Sequence, residues 1–223
     1  MKSSKESQKI LNRFTTIPFL MDLLKRKQLS LLNPNNWEDR NDKVTMELFR
    51  EKKHKKSIYA LCLTHDRETN HHWNAFANGM SGCLIEFYYD KLIDTIPKKD
   101  AVYGKIEYIK LRDLDTVGDD IEKIPFLKRD PFRPEKEFRI VILSDDPQRE
   151  SFDIPISLDV IRRIVITNKL PESVFESIQQ SIIAISPEFK GEIIRSTLYD
   201  NAKWKNHFMS RYTNNRTGMV VFG

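Results

Sequence analysis

Glu135 and Glu137 stand two residues apart at the start of the run PEKEFRIVIL, Pro134 to Leu143. Side chains on a strand alternate between its faces, so a strand here turns both carboxylates the same way. Arg139 continues that face, while Phe138, Ile140 and Ile142 line the other. Two carboxylates this close push one pKa upward, which suits a general base. The polar stripe along one side of a β-branched run marks where chemistry is to be sought. The same pattern also fits a solvent-facing strand edge with a Glu–Arg pair. Arg139 reads as the structural partner of a Glu, and Lys128 as a solvated charge.

The elements that must position this stripe follow in order. Residues 1–9 read as a flexible tail. Ile10 to Thr15 reads as a first strand, and Thr16 offers an N-cap oxygen to an amphipathic helix over Pro18 to Lys27. Leu29 to Leu32 is extended, and Asn33-Pro34-Asn35-Asn36 is a turn. Lys43 to Lys56 reads as a helix ending in the basic run EKKHKK, a solvated face or a nucleic-acid contact. Ile58 to Thr64 is apolar enough for a strand buried on both faces. Trp73, Phe76 and Ala77 share a helical face, and Cys83 to Tyr89 is a strand with Glu86 as its odd charge. Val102 to Ile109 alternates and reads as half-exposed. Asp113 to Lys128 reads as acidic, then helical. Ser151 to Ile156 is a strand that a hairpin-like turn at Asp145-Asp146-Pro147 would lead into. Ile164 to Thr167, a helix over Pro171 to Ile185, and a strand over Glu192 to Thr197 complete the chain. The expectation is one α+β domain over 10–205, with about seven short, mostly antiparallel strands and flanking helices, then a C-terminal tail over 206–223.

The 223 residues are enough for one sizeable core. With 39% hydrophobic and 31% charged residues the composition is that of a soluble globular protein. No apolar run approaches the ~18 to 20 residues of a membrane span, and the polar N-terminus lacks the apolar stretch of a signal peptide. Cys62 and Cys83 each sit in an apolar run and read as buried thiols, which suits the cytoplasm. No Cys/His spacing resembles a zinc site, and adjacent His71 and His72 make a poor chelate, so no metal is expected. The net charge of +5 and pI near 9.1 permit an anionic partner such as nucleic acid. Seven glycines leave no Gly-rich phosphate loop.

Three stretches taken together carry a resemblance. They are RFTTIPFLMDLL with the loop WEDRND; LCLTHDRETNHHWNAFANGMSGCLIEF, with Trp73, Gly82, Glu86 and Phe87 in order; and FLKRDPFRPEKEFRIVI, with Lys128, Glu135, Glu137 and Arg139. Over residues 10–205 the chain resembles the uncharacterised bacterial family catalogued as domain of unknown function 2971. It departs from that pattern at Phe132, Thr64 and Arg40, where Trp, Ser and Pro are usual. More distantly, the order of parts is similar to ADP-ribosyltransferase-like folds. That likeness implies an NAD-gripping Arg on the first strand, a Ser/Thr-bearing strand, and a catalytic Glu on a later strand. Arg13, Thr64 and Glu137 take those places, although the hallmark Ser-Thr-Ser stretch is absent. Breaking the ribose–nicotinamide bond builds positive charge on the sugar, which Glu137 would stabilise, while Glu135 would position or deprotonate the acceptor. Trp73 or Trp37 would stack on nicotinamide or adenine; for Trp73 the alternative is plain packing between helix and sheet.

The resemblance implies an NAD-dependent ADP-ribosyltransferase, a bacterial toxin or anti-phage effector acting on nucleic acid or a host protein, with an antitoxin or other protein as its candidate partner. It predicts that Arg13 and Glu137 meet across one cleft. The alternatives are a non-catalytic nucleotide- or nucleic-acid-binding module, and a metal-dependent nuclease using Glu135, Glu137 and Asp39 or Asp42.

Overall fold

The computed structural model describes residues 9–77 and 79–212; the expected N-terminal tail, residue 9 excepted, and residues 213–223 lie outside this range. Eleven strands and six α-helices follow one another among the described residues. The first half holds β1 (Ile10–Thr16), α1 (Ile17–Arg26), β2 (Gln28–Leu32), α2 (Arg40–Lys52), β3 (Ser57–Thr64), α3 (Asn70–Phe76), β4 (Gly82–Tyr88) and α4 (Tyr89–Thr95). The second holds β5 (Ala101–Lys105), β6 (Glu107–Ile109), β7 (Leu127–Arg129), β8 (Glu137–Ser144), β9 (Ser151–Pro155), β10 (Ile161–Ile166), α5 (Glu172–Ile185), β11 (Glu192–Arg195) and α6 (Ala202–Tyr212).

Nine strands form one sheet in the order β11-β10-β4-β1-β3-β2-β9, with β8 also paired to β3 and β5 to β8. The ladders are antiparallel except β10 with β11. Parallel β6 and β7 form a separate small sheet. The α+β class therefore holds, in a mixed sheet with more strands than the seven expected. The added strands are short pieces of three to five residues, where a hydrophobic period has little room to declare itself.

The apolar run SIYALCLT makes β3 the pivot. It pairs with β8 along eight residues, Ser57–Ser144 to Thr64–Glu137. It meets β1 only at Asn12–Thr64 and β2 only at Leu32–Ala60. Strand β1 pairs instead with β4 over its whole length. Beyond Asn12, β1 and β3 therefore part, and Asn12, Phe14, Cys62 and Thr64 border the resulting gap.

The main core lies on one side of the sheet and takes Leu11, Leu20, Leu24, Leu61, Leu63, Ile85, Phe87, Phe138 and Ile140. Helix α1 supplies its face through Leu20, Leu23 and Leu24. Pro18 occupies its first turn as expected, but Thr16 makes no side-chain capping bond. A second cluster packs Met46 and Phe49 of α2 on Ile58, Ala60, Val141 and Leu143. A third packs Trp73 and Ala77 on Leu84 and Val165. Gly82 belongs to this third contact, because a Cβ there would collide with the Ala77 carbonyl and press on the Trp73 ring.

Two expectations need correction. The helix expected within 113–128 is two 3-10 turns, over 111–116 and 121–126, with Pro125 inside the second. Proline cannot donate to a continuing α-helix. Strand β9 does not form a hairpin with β8, whose two edges are already taken by β3 and β5; it pairs with β2. Residues 202–212 form α6, which runs across the expected boundary at 205. The basic run after α2 is an ion-paired face: Lys53 meets Glu122, and Lys55 meets Asp100 and Asp145. Among the described residues no helix is long and apolar enough to cross a membrane.

Candidate active site

The polar stripe of β8 is buried. Glu137 is 4% exposed and Arg139 0%. Burying such groups demands partners, and they come from three elements. Asp42 of α2 grips Arg139 with both oxygens, Oδ1 to Nη1 at 2.9 Å and Oδ2 to Nη2 at 2.8 Å. Arg139 also donates from Nε to Glu137 Oε1 at 2.7 Å, from Nη2 to Glu137 Oε2 at 3.0 Å, and from Nη1 to the Pro125 carbonyl at 3.0 Å. All five guanidinium N–H groups are thereby used. The Trp37 ring lies 4.9 Å from the guanidinium carbon, so Trp37 shields this ion pair.

Lys128 of β7 lies against the same carboxylates. Its Nζ donates to Glu135 Oε2 at 2.6 Å and to Glu137 Oε2 at 3.1 Å, and stands 3.6 Å from Asp42. Its side chain is only 10% exposed, which corrects its reading as a solvated charge. The Phe132 ring, 4.9 Å away, covers its other side.

Three carboxylates thus face two cations, and their environments drive the two glutamates apart. Burial pushes Glu137 up, but the charges of Arg139 and then Lys128 outweigh it and hold the carboxyl at about 2. Burial raises Glu135, Lys128 opposes the rise, and the negative charge of Glu137 adds to it; the net shift is upward. Burial pulls the Lys128 ammonium down, while Glu137 and Glu135 outweigh it and raise its pKa. A fixed anion and a proton carrier in one cavity form the division of labour that acid–base enzymes use.

The backbone between the two glutamates is clamped from three sides. The chain makes a 3-10 turn over Asp130–Glu135 and passes through Lys136 in the left-handed region, at φ 44°. Glu135 therefore shares a face with Glu137 through this turn, and not through strand alternation. His72 Nε2 donates to the Glu135 carbonyl at 2.9 Å. A carbonyl only accepts, so Nε2 carries the proton and Nδ1 accepts from the Thr69 hydroxyl at 2.6 Å. Burial lowers the His72 pKa, which favours this neutral ring. The Thr64 hydroxyl donates to the Lys136 carbonyl at 2.9 Å and accepts from Asp66 N–H at 3.0 Å. The Glu137 N–H donates to Tyr108 Oη at 2.8 Å. Burial first, then the nearby carboxylates, push that phenol up to about 12.

The cavity above the glutamates measures about 110 Å³ and is bordered by Asn12, Phe14, Cys62, His72 and Phe76. Phe14 stacks on His72 with centroids 5.0 Å apart. Cys62, expected to be buried like Cys83, is instead exposed and borders this cavity. Desolvation, then the charge of Glu137, raises its thiol well above the usual range.

Of the residues singled out from sequence, Glu135, Glu137 and Thr64 come together at this cavity. Thr64 does so with its hydroxyl committed to the turn that aims the glutamates. Arg13 does not join them. Its register partner is Ile85, and it stands between Leu11 and Thr15 on the core side of β1. Asn12 and Phe14, one residue to either side, are the ones that reach the cavity, so alternation along β1 turns Arg13 away from it. Arg13 is not among the residues that border this cavity, although its charge is felt by Cys62, which is. Trp73 is 1% exposed, packs edge-on against Phe14, and donates its indole N–H to Glu68 at 3.0 Å. It is a packing residue and presents no face to a ligand. Tyr108, His72 and Asn12 were missed as site residues, and Asp42 was named only as a possible metal ligand. Asp42 sits in a helix first turn, where an acid needs no further reason, and Tyr108 lies on a three-residue strand. Among the described residues no group of three or more His, Cys, Asp or Glu is arranged to hold a metal ion.

No family model matches the chain, so the resemblance to the 2971 family stands on its quoted residues alone. No curated protein matches it either. Among solved structures it is similar to Thermus sp. 2.9 DarT in complex with ADP-ribosylated ssDNA, at 11% identity and a TM-score of 0.45, over 88% of this chain and 98% of that one. It is likewise similar to Thermus sp. 2.9 DarT in complex with NAD+, at 10% identity and a TM-score of 0.44, over 86% and 98%. Likeness this distant assigns no role to any residue.

Proposed function

We propose that the chain is an NAD-dependent ADP-ribosyltransferase-like enzyme. The observation that carries this reading is the split glutamate pair: Glu137 held anionic at about 2, and Glu135 raised, on one cavity. As the ribose–nicotinamide bond breaks, its electron pair leaves with nicotinamide and the sugar carbon becomes cationic. An anion already fixed beside that carbon costs no reorganisation. Glu137 fills this role with its geometry set by Arg139 and Lys128. Glu135 takes the proton from the acceptor as the acceptor attacks the same carbon. Phe14, Phe76 and Cys62 form the walls that would enclose the leaving ring.

The acceptor is a nucleic acid or a host protein in this reading, and the biological role a bacterial toxin or anti-phage effector working in the cytoplasm, with an antitoxin as a candidate partner. A metal-dependent nuclease is less well supported, because the Asp42 and Glu137 oxygens are spent on Arg139. The test is nicotinamide release from NAD, followed by chromatography, for wild type and Glu137→Gln. Release by wild type and its loss in the variant support the reading. Equal release by both removes Glu137 from the chemistry, and release by neither removes the reading and leaves a non-catalytic binding module.

A further inference from the structure

The glutamate cavity is too small to hold a whole cofactor-sized ligand, since such sites usually measure ~300 to 1,000 Å³. A second, larger groove of about 970 Å³ adjoins it, and Asn12 borders both. Five lysine and arginine side chains line the groove against two carboxylates, Glu68 and Glu86. Both carboxylates are occupied: Glu86 pairs with Arg162 and Arg163, and Glu68 accepts from Trp73. Arg195 is also paired, with Glu172 outside the groove, yet the cations still outnumber the carboxylates. Arg67 is exposed and has no ion pair among the described residues. Buried Nε atoms of Arg163 and Arg195, both groove residues, lack hydrogen-bond partners.

Asn12 stands at the joint. It is 7% exposed, and its Oδ1 is buried without a partner. Its Nδ2 donates to the Asp66 carbonyl at 2.6 Å, which fixes the amide and leaves Oδ1 as a pre-aimed acceptor. A buried acceptor without a donor is costly unless something else supplies one.

Resting on the NAD reading above, we propose that Asn12 is a ligand-binding residue joining two subsites of one elongated ligand. The pyrophosphate of a dinucleotide lies in the basic groove, its glycosidic bond reaches Glu137, and a hydroxyl or amide N–H between them donates to Asn12 Oδ1.

The test is calorimetric titration of ADP-ribose into wild type, Asn12→Ala and Arg67→Glu, beside nicotinamide release from NAD. Arg67 makes no bond within the described residues, so its reversal leaves the fold intact even if Asn12→Ala weakens it. The expected result is binding weakened about tenfold or more by Asn12→Ala and by Arg67→Glu. Wild-type binding that both Asn12→Ala and Arg67→Glu share would overturn the joint while leaving the NAD reading in place. Nicotinamide release without ADP-ribose binding would overturn it too, by placing the phosphates elsewhere. Neither binding nor release would remove the NAD reading and this proposal with it.

Discussion

Glu135 and Glu137 share one lysine, with Lys128 Nζ 2.6 Å from the first and 3.1 Å from the second, yet only Glu137 also holds Arg139. That single extra cation separates their roles. Glu137 stays charged across the working pH range, and Glu135 is left as the group that can exchange a proton.

The pH dependence follows from this split. A base works when deprotonated, so kcat/KM rises with pH through the raised pKa of Glu135 and then levels, with no limb from Glu137 in the measurable range. A pH profile of nicotinamide release checks it. Glu135→Gln removes the rising limb and lowers the plateau by about 10²-fold or more.

Stability carries the opposite signs for the two glutamates. The Glu137 pKa falls from the ordinary 4.5 to about 2 on folding, so its contribution is full above 4.5 and is lost as pH drops toward 2. Glu135 is raised on folding, so its contribution is present at low pH and disappears as pH climbs through its folded pKa. Urea midpoints between pH 3 and 7 should therefore fall on the acid side in wild type. In Glu137→Gln that acid-side fall should be smaller.

Breaking the buried ion pair should be severe. Asp42→Asn leaves Arg139, 0% exposed, with a neutral partner, and Asp42→Ala leaves it half-bare. We expect a loss of about 3 to 5 kcal/mol for Asp42→Ala, with Asp42→Asn milder. Chemical denaturation at neutral pH measures both. A change below ~1 kcal/mol for Asp42→Ala would show that the surroundings re-solvate Arg139.

Cys62 reports on the site independently of turnover. Its thiol is raised by desolvation and by Glu137, so alkylation by iodoacetamide at neutral pH should be slow. Removing the Glu137 charge lowers the thiol pKa, so Glu137→Gln should label faster at Cys62. Cys83, buried in the core and pushed up to about 12, should stay unlabelled in both. Mass spectrometry of labelled peptides separates the two cysteines.

Much of this architecture was legible in the sequence, and the omissions have physical causes. The apolar run Ile58–Thr64 and the stripe EFRIVIL announced β3 and β8, because a long β-branched segment admits few other structures. Arg139 was correctly read as a partner of Glu. What stayed hidden depends on contacts distant in sequence. Asp42 meets Arg139 across 97 positions and His72 meets Glu135 across 63, and no local period encodes either. The parity of β1 was also hidden. Arg13 is the more conspicuous residue for NAD, but alternation gives the cavity to Asn12 and Phe14, and only the register with β4 reveals which parity wins.

The most direct measurement is transfer of label from adenine-labelled NAD to macromolecules of a cell lysate, with wild type beside Glu137→Gln. The account predicts label incorporated by wild type and lost in the variant, with nuclease or protease sensitivity of the product identifying the acceptor. Equal incorporation by both proteins, or neither label nor free nicotinamide from wild type, would contradict it.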